Sequence, residues 1–183
     1  MKVEYLPLRG LAKVVPSRLG DHRGYFSEVF KDSWFRENVA DVTFLQENES
    51  LSSAVGTLRG LHFQRDPFAQ GKLVRCIAGK IFDVAVDIRN GSSTYGKWYG
   101  TELSVENGAQ LWIPQGFAHG FVTLVPNCVI SYKVTAAYNA ASDSGLLWND
   151  PTIGISWPLP SGNLILSGKD ENQPTLADLP PAF

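Results

Sequence analysis

Hydrophobic and polar residues alternate with a period of two through the middle of this chain, the spacing of side chains along a β-strand. Residues 81–88 show it most clearly. Phe82, Val84, Val86 and Ile88 fall on one face, and Ile81, Asp83, Ala85 and Asp87 on the other. Residues 72–77 alternate likewise, and Ala78-Gly79-Lys80 has the composition of a hairpin turn between the two runs. In a further strand Ile130, Tyr132 and Val134 share a face opposite Ser131 and Lys133. Turn signals recur at Gly79, Asn90-Gly91, Asn107-Gly108, Pro114-Gln115-Gly116 and Pro126-Asn127. That spacing predicts a sandwich or barrel of short antiparallel strands. Helix signals are sparse. Asp32 is placed to cap a short helix through Trp34, Phe35 and Val39, and a second short helix is expected after Pro174. The prolines near the C-terminus (Pro158, Pro160, Pro174, Pro180 and Pro181) predict a tail wrapping the surface or a partner.

With 183 residues, no internal repeat and no linker, the expectation is one domain spanning 1–183. Hydrophobic residues at 44% exclude a disordered chain. Sixteen basic against eighteen acidic side chains leave a net charge of -2, without the basic excess that a nucleic-acid-binding protein carries. Residues 107–132 lack formal charge but contain Pro114, Pro126, Gln110, Gln115, Asn127 and His119. Each penalises a membrane-spanning helix, so the run reads as strands and turns. With no membrane or export signal in its first residues, and with Cys76 and Cys128 set in apolar runs as reduced core thiols, the expected location is cytoplasmic.

The chain has three histidines, His22, His62 and His119. Strict alternation puts Arg59 and His62 on opposite faces of one strand. Both can serve one ligand only if Gly60 hosts a bulge or kink; otherwise Arg59 is a surface cation. The barrel metal pattern of two histidines one residue apart with a following glutamate is missing, and so are a glycine-rich phosphate loop and a Gly-x-Ser-x-Gly elbow. Arg23, Arg59, Lys72 and Lys169 lie beside glycines or in polar-aromatic segments. Convergence of the four suits an anionic ligand such as a diphosphate, whereas each alone is an ordinary solvated charge.

Several segments together resemble the dTDP-4-dehydrorhamnose 3,5-epimerase family. They are Asp21-His22-Arg23-Gly24-Tyr25-Phe26-Ser27-Glu28, Gln46-Glu47-Asn48-Glu49-Ser50, Gln70-Gly71-Lys72-Leu73-Val74-Arg75, and the runs 56–64, 82–89 and 112–121. Ser131-Tyr132-Lys133, Trp148-Asn149-Asp150-Pro151, Ile155-Ser156-Trp157-Pro158 and Lys169-Asp170 extend the likeness over almost the whole chain. The resemblance implies an all-β, cupin-like jelly roll with short peripheral helices, and a homodimer that exchanges N-terminal strands. It implies conversion of dTDP-4-dehydro-6-deoxy-D-glucose to dTDP-4-dehydro-L-rhamnose, in dTDP-L-rhamnose biosynthesis, with no metal or organic cofactor. By the same resemblance His62 is the base, oriented by Asp170, and Tyr132 the opposing acid. Lys72 stabilises an enolate, and Arg59 and His119 complete the sugar pocket and the diphosphate contacts. Arg23, Phe26 and Glu28, from the partner subunit, hold the nucleotide with Gln46 and Asn48, and Lys169 and Tyr138 close the site. Asp143 belongs to the same binding set but stands where the family usually has glutamate. Ser93, Asn139-Ala140 and Gly168 are further departures at the closing edge. The alternatives are an epimerase of one carbon only, a metal-binding cupin enzyme and a non-catalytic sugar-binding barrel.

Overall fold

A computed structural model describes residues 1–158 and 164–183, so Pro160 lies outside the described residues. Two antiparallel sheets face each other. The six-stranded sheet runs β1 (Lys2–Tyr5), β2 (Ala12–Val15), β10 (Gln110–Ile113), β7 (Lys72–Ala78), β12 (Cys128–Val134) and β5 (Gln46–Ser52). The five-stranded sheet runs β13 (Asp143–Gly145), β6 (Leu58–Gln64), β11 (Phe117–Thr123), β8 (Lys80–Asp87) and β9 (Trp98–Ser104). This is the expected jelly roll. A small hairpin of β3 (Leu19–Asp21) and β4 (Gly24–Phe26) projects from it with every residue exposed.

The core between the sheets takes Val74, Cys76, Ile81, Ala85, Leu103, Leu111, Phe117, Phe121 and Ile130. Both faces of the five-stranded sheet are covered. Val84, Val86 and Ile88 pack on the outside against Leu146 and Ile153, and against Leu176 and Leu179 of the proline-rich tail. Arg65 fastens that tail by donating to the Pro181 carbonyl at 3.1 Å. The polar face of the 81–88 run is therefore interior: Asp83 and Asp87 are both fully buried.

Three local expectations need correction. Residues 78–80 do not form a hairpin, because β7 and β8 belong to different sheets. Gly79, at φ +78°, turns a corner between them, and a Cβ there would sit 2.7 Å from the Cys128 sulfur. A hairpin turn and an inter-sheet corner share their local composition; the long-range pairing of β7 with β10 and β12 decides between them. Helix α1 (Asp32–Asn38) forms, but Lys31 is its N-cap, with no side-chain cap, and Asp32 is its first helical residue. What fixes α1 is burial of Phe35 beside Phe30, Phe44 and Trp112 on the outer face of the six-stranded sheet. The segment after Pro174 is turn rather than helix, and the second helix is α2 (Gly168–Glu171), where none was expected.

Candidate active site

His62 and His119 face each other as direct partners on neighbouring β6 and β11. The register then slips: the next pair is Phe121 with Arg59, so three steps along β6 match two along β11. The extra residue is the bulge that brings Arg59 and His62 to one cavity. Gly60 carries it at φ +132°, and a Cβ on Gly60 would lie 2.5 Å from the Gly120 Cα. Only two glycines facing each other permit this approach.

The cavity, about 430 Å³, opens between the sheets and is lined by Arg59, His62, Lys72, His119, Tyr132, Lys169 and Asp170. A second compartment of about 420 Å³ shares His62, Lys72, Tyr132 and Lys169 and adds Gln46, Asn48, Tyr138 and Asp143. Eleven of the fourteen expected site residues thus meet in one continuous depression. Arg23, Phe26 and Glu28 do not reach it within one chain. Arg23 and Phe26 lie in or beside the exposed hairpin, where Arg23 pairs with Asp21 at 2.6 Å, and Glu28 is exposed just after it.

The C-terminal segment delivers the partner of His62. Leu58 donates to the Ile165 carbonyl at 2.9 Å and Ile165 to that of Gly56 at 3.0 Å, which stitches the segment along β6. Ser167 then caps α2 by accepting from the Asp170 amide at 3.2 Å. Asp170, 3% exposed, meets the His62 Nε2 at 2.5 Å. An ionised carboxylate can only accept, so Nε2 carries the hydrogen and Nδ1 is the basic nitrogen. Burial lowers the pKa of His62, and Lys72 and Lys169 add to this, while Asp170 opposes it; the ring is neutral at neutral pH.

Tyr132 reaches the cavity from β12, on the opposite sheet to His62. Burial raises its pKa, so the phenol keeps its proton. Burial pushes the Lys72 ammonium down to about 8; Asp83 and Asp143 oppose that push and Lys169 adds to it. At the rim, Asp143 accepts from the Tyr138 hydroxyl at 3.2 Å and pairs with Lys169 at 2.5 Å, joining the loop after β12 to α2. Gln64 steadies that loop: it accepts from the Asn139 amide at 2.7 Å and donates to the Ala137 carbonyl at 3.1 Å.

Asp83 is the residue that pattern reading passed over. It is fully buried behind His119, whose Nε2 it meets at 2.8 Å. The available signal was a carboxylate on an alternating face whose other members are apolar or, like Asp87, locked by hydrogen bonds from Arg89, Ser92 and Thr94.

The sequence model of the dTDP-4-dehydrorhamnose 3,5-epimerase family matches residues 5–178. This chain belongs to that family. It is 60% identical over 183 residues to the dTDP-4-dehydrorhamnose 3,5-epimerase of Sinorhizobium fredii, covering 100% of this chain and 93% of that one. Among solved structures it resembles the dTDP-4-dehydrorhamnose 3,5-epimerase of Elizabethkingia anophelis, with a TM-score of 0.92, 44% identity and 97% of each chain covered. It equally resembles the Legionella pneumophila dTDP-6-deoxy-D-glucose-3,5-epimerase solved with dTDP-4-keto-L-rhamnose, with a TM-score of 0.92, 41% identity, and 98% of this chain and 94% of that one covered. The chain is therefore an isomerase with dTDP-4-dehydrorhamnose 3,5-epimerase activity in rhamnose biosynthesis. Among the described residues no helix is long and apolar enough to cross a membrane.

Proposed function

We propose that this isomerase, a single domain over residues 1–183, inverts C3 and C5 of dTDP-4-dehydro-6-deoxy-D-glucose through an enolate held between His62 and Tyr132. The observation that carries the reading is the neutral His62, backed by buried Asp170 at 2.5 Å, facing protonated Tyr132 across one cavity. A proton alpha to a ketone is acidic because its bonding electrons can pass into the carbonyl. His62 Nδ1 takes that proton, the C–H pair becomes the enolate double bond, and the C4 oxygen takes the charge. The Lys72 ammonium stabilises that oxyanion from the cavity wall it shares with His62 and Tyr132. The Tyr132 hydroxyl gives its proton to the opposite face of the carbon, which restores the ketone with inverted configuration. Solvent then removes the proton from His62 and returns one to the phenolate. The same cycle at the second carbon completes the product without a metal or organic cofactor.

Arg59 and His119 bind the sugar and the diphosphate, and Gln46, Asn48, Tyr138, Asp143 and Lys169 hold the nucleotide side. The chain works as a cytoplasmic homodimer, in which Arg23, Phe26 and Glu28 of each hairpin region reach the other subunit's depression. Two observations support this: the exposure of Leu19, Tyr25 and Phe26 at 71%, 57% and 70%, and the lack of a role for Arg23 within one chain. Proton NMR of the sugar nucleotide with the purified protein tests the reading. Conversion to dTDP-4-dehydro-L-rhamnose supports it; inversion at one carbon alone replaces it with the single-carbon alternative.

A further inference from the structure

The cavity holds a second histidine–carboxylate couple besides His62–Asp170. His119 meets Asp83 at 2.8 Å, and the two histidines are cross-strand partners, so the couples stand side by side. Asp83 itself does not line the cavity; it is 0% exposed and lies behind His119. Its second oxygen, Oδ2, is buried and has no hydrogen-bond partner among the described residues. A buried carboxylate oxygen left unpaired is costly and persists where its charge is used.

Lys72 is a cation of the same cavity, and the charge of Asp83 acts on it. Its Nζ lies 3.4 Å from the His62 carbonyl, on the strand that pairs with His119. The groups facing it are Asp83 from β8, Asp143 from β13, Lys169 from α2, His62 from β6 and Tyr132 from β12. Asp143 already serves Lys169 and Tyr138 at the rim. Asp83 is the carboxylate within the barrel with charge to spare.

We propose that Asp83 is a positioning residue for the epimerisation, whose carboxylate fixes the ring of His119 and is the buried counter-charge of Lys72. As an acceptor it holds the hydrogen of His119 on Nε2, which leaves Nδ1 for the ligand. As a counter-charge it keeps an ammonium in a site whose burial favours the neutral amine. The proposal rests on the enolate reading for its catalytic meaning, but its electrostatic content does not depend on turnover.

The test is NMR titration of protein carrying labelled lysine and histidine side chains, in wild type, Asp83→Asn and Asp143→Asn. The wild-type reference is the Lys72 ammonium, pushed down to about 8 by burial. Asp83→Asn preserves shape and removes charge, so Lys72 is expected to lose its proton at least one pH unit earlier. Asp143→Asn is expected to move it less. The high-pH limb of kcat/KM follows the same displacement. Folded Asp83→Asn with an unmoved Lys72 titration overturns the proposal, whatever its activity. Should Asp83→Asn fail to fold, the nitrogen-15 spectrum of the wild-type imidazoles gives a second reading, because a carboxylate acceptor at 2.8 Å from Nε2 fixes the His119 tautomer. His119 carrying its hydrogen on Nε2 supports the proposal, and a hydrogen on Nδ1 overturns it. If the wild type leaves the sugar nucleotide untouched, the enolate reading fails while these titrations still judge Asp83.

Discussion

At the scale of single residues, the site sets three protonation states by three local balances. For His62 desolvation outweighs the attraction of Asp170, which leaves a neutral base. For Tyr132 desolvation preserves the acid. For Lys72 desolvation brings the ammonium to about 8, so it is charged at neutral pH and only there and below. The pH dependence follows with a definite sign. The proposed mechanism needs His62 neutral, so kcat/KM is expected to fall as pH drops through a pKa below 6.5. It needs Lys72 protonated, so kcat/KM falls again as pH rises past about 8. The expected profile is a bell with its plateau near neutrality. Lys72→Met should remove the upper limb and lower the plateau by about 10²–10³-fold, the usual scale for losing an oxyanion-stabilising group. An upper limb that survives the substitution would assign that limb to another group.

At the scale of elements, the bulge in β6 is the device on which the site depends. Gly60→Ala sets a Cβ against the Gly120 backbone and imposes φ +132° on a residue that resists it. The expected loss is about 2–4 kcal/mol of stability, with binding and turnover lost together, because Arg59 and His62 no longer face the same space. Thermal unfolding of the variant, beside its activity, checks this. A fully stable and active Gly60→Ala would mean the bulge is dispensable. The need for a bulge was legible in the sequence, because Arg59 and His62 stand three residues apart on one strand. The strands themselves were legible from their period of two. What escaped was decided by non-local packing. The chain leaves one sheet for the other at Gly79, although its local sequence suits a hairpin. Helix α2 is four residues long and exists to hold Asp170 against His62 and to cap itself on Ser167, neither of which leaves a periodic signal. Asp83 read as one charged member of a polar face, because alternation identifies two faces but not that both are buried.

At the scale of the whole molecule, the jelly roll places the proposed base and the proposed acid on opposite sheets. His62 sits on β6 of the five-stranded sheet and Tyr132 on β12 of the six-stranded one. In the proposed mechanism the two-layer architecture supplies the two-sided chemistry that inversion demands, with the substrate between the layers. It also leaves Arg23, Phe26 and Glu28 outside the depression of their own chain, the arrangement expected of a dimer with shared sites. Light scattering should therefore give twice 20.1 kDa. Phe26→Ala or Arg23→Ala should raise KM more than it lowers kcat, since neither side chain is assigned to the reacting carbons. A fully active monomer would contradict the shared site.

The central claim is the division of labour between His62 and Tyr132. It is tested most directly by following solvent deuterium into dTDP-4-dehydro-6-deoxy-D-glucose with His62→Ala and Tyr132→Phe. Loss of the base should suppress exchange at C3 and C5 by about 10²–10⁴-fold. Loss of the phenol should leave exchange running while inverted product fails to accumulate. Near-normal exchange at both carbons in His62→Ala would contradict the assignment and make another group the base.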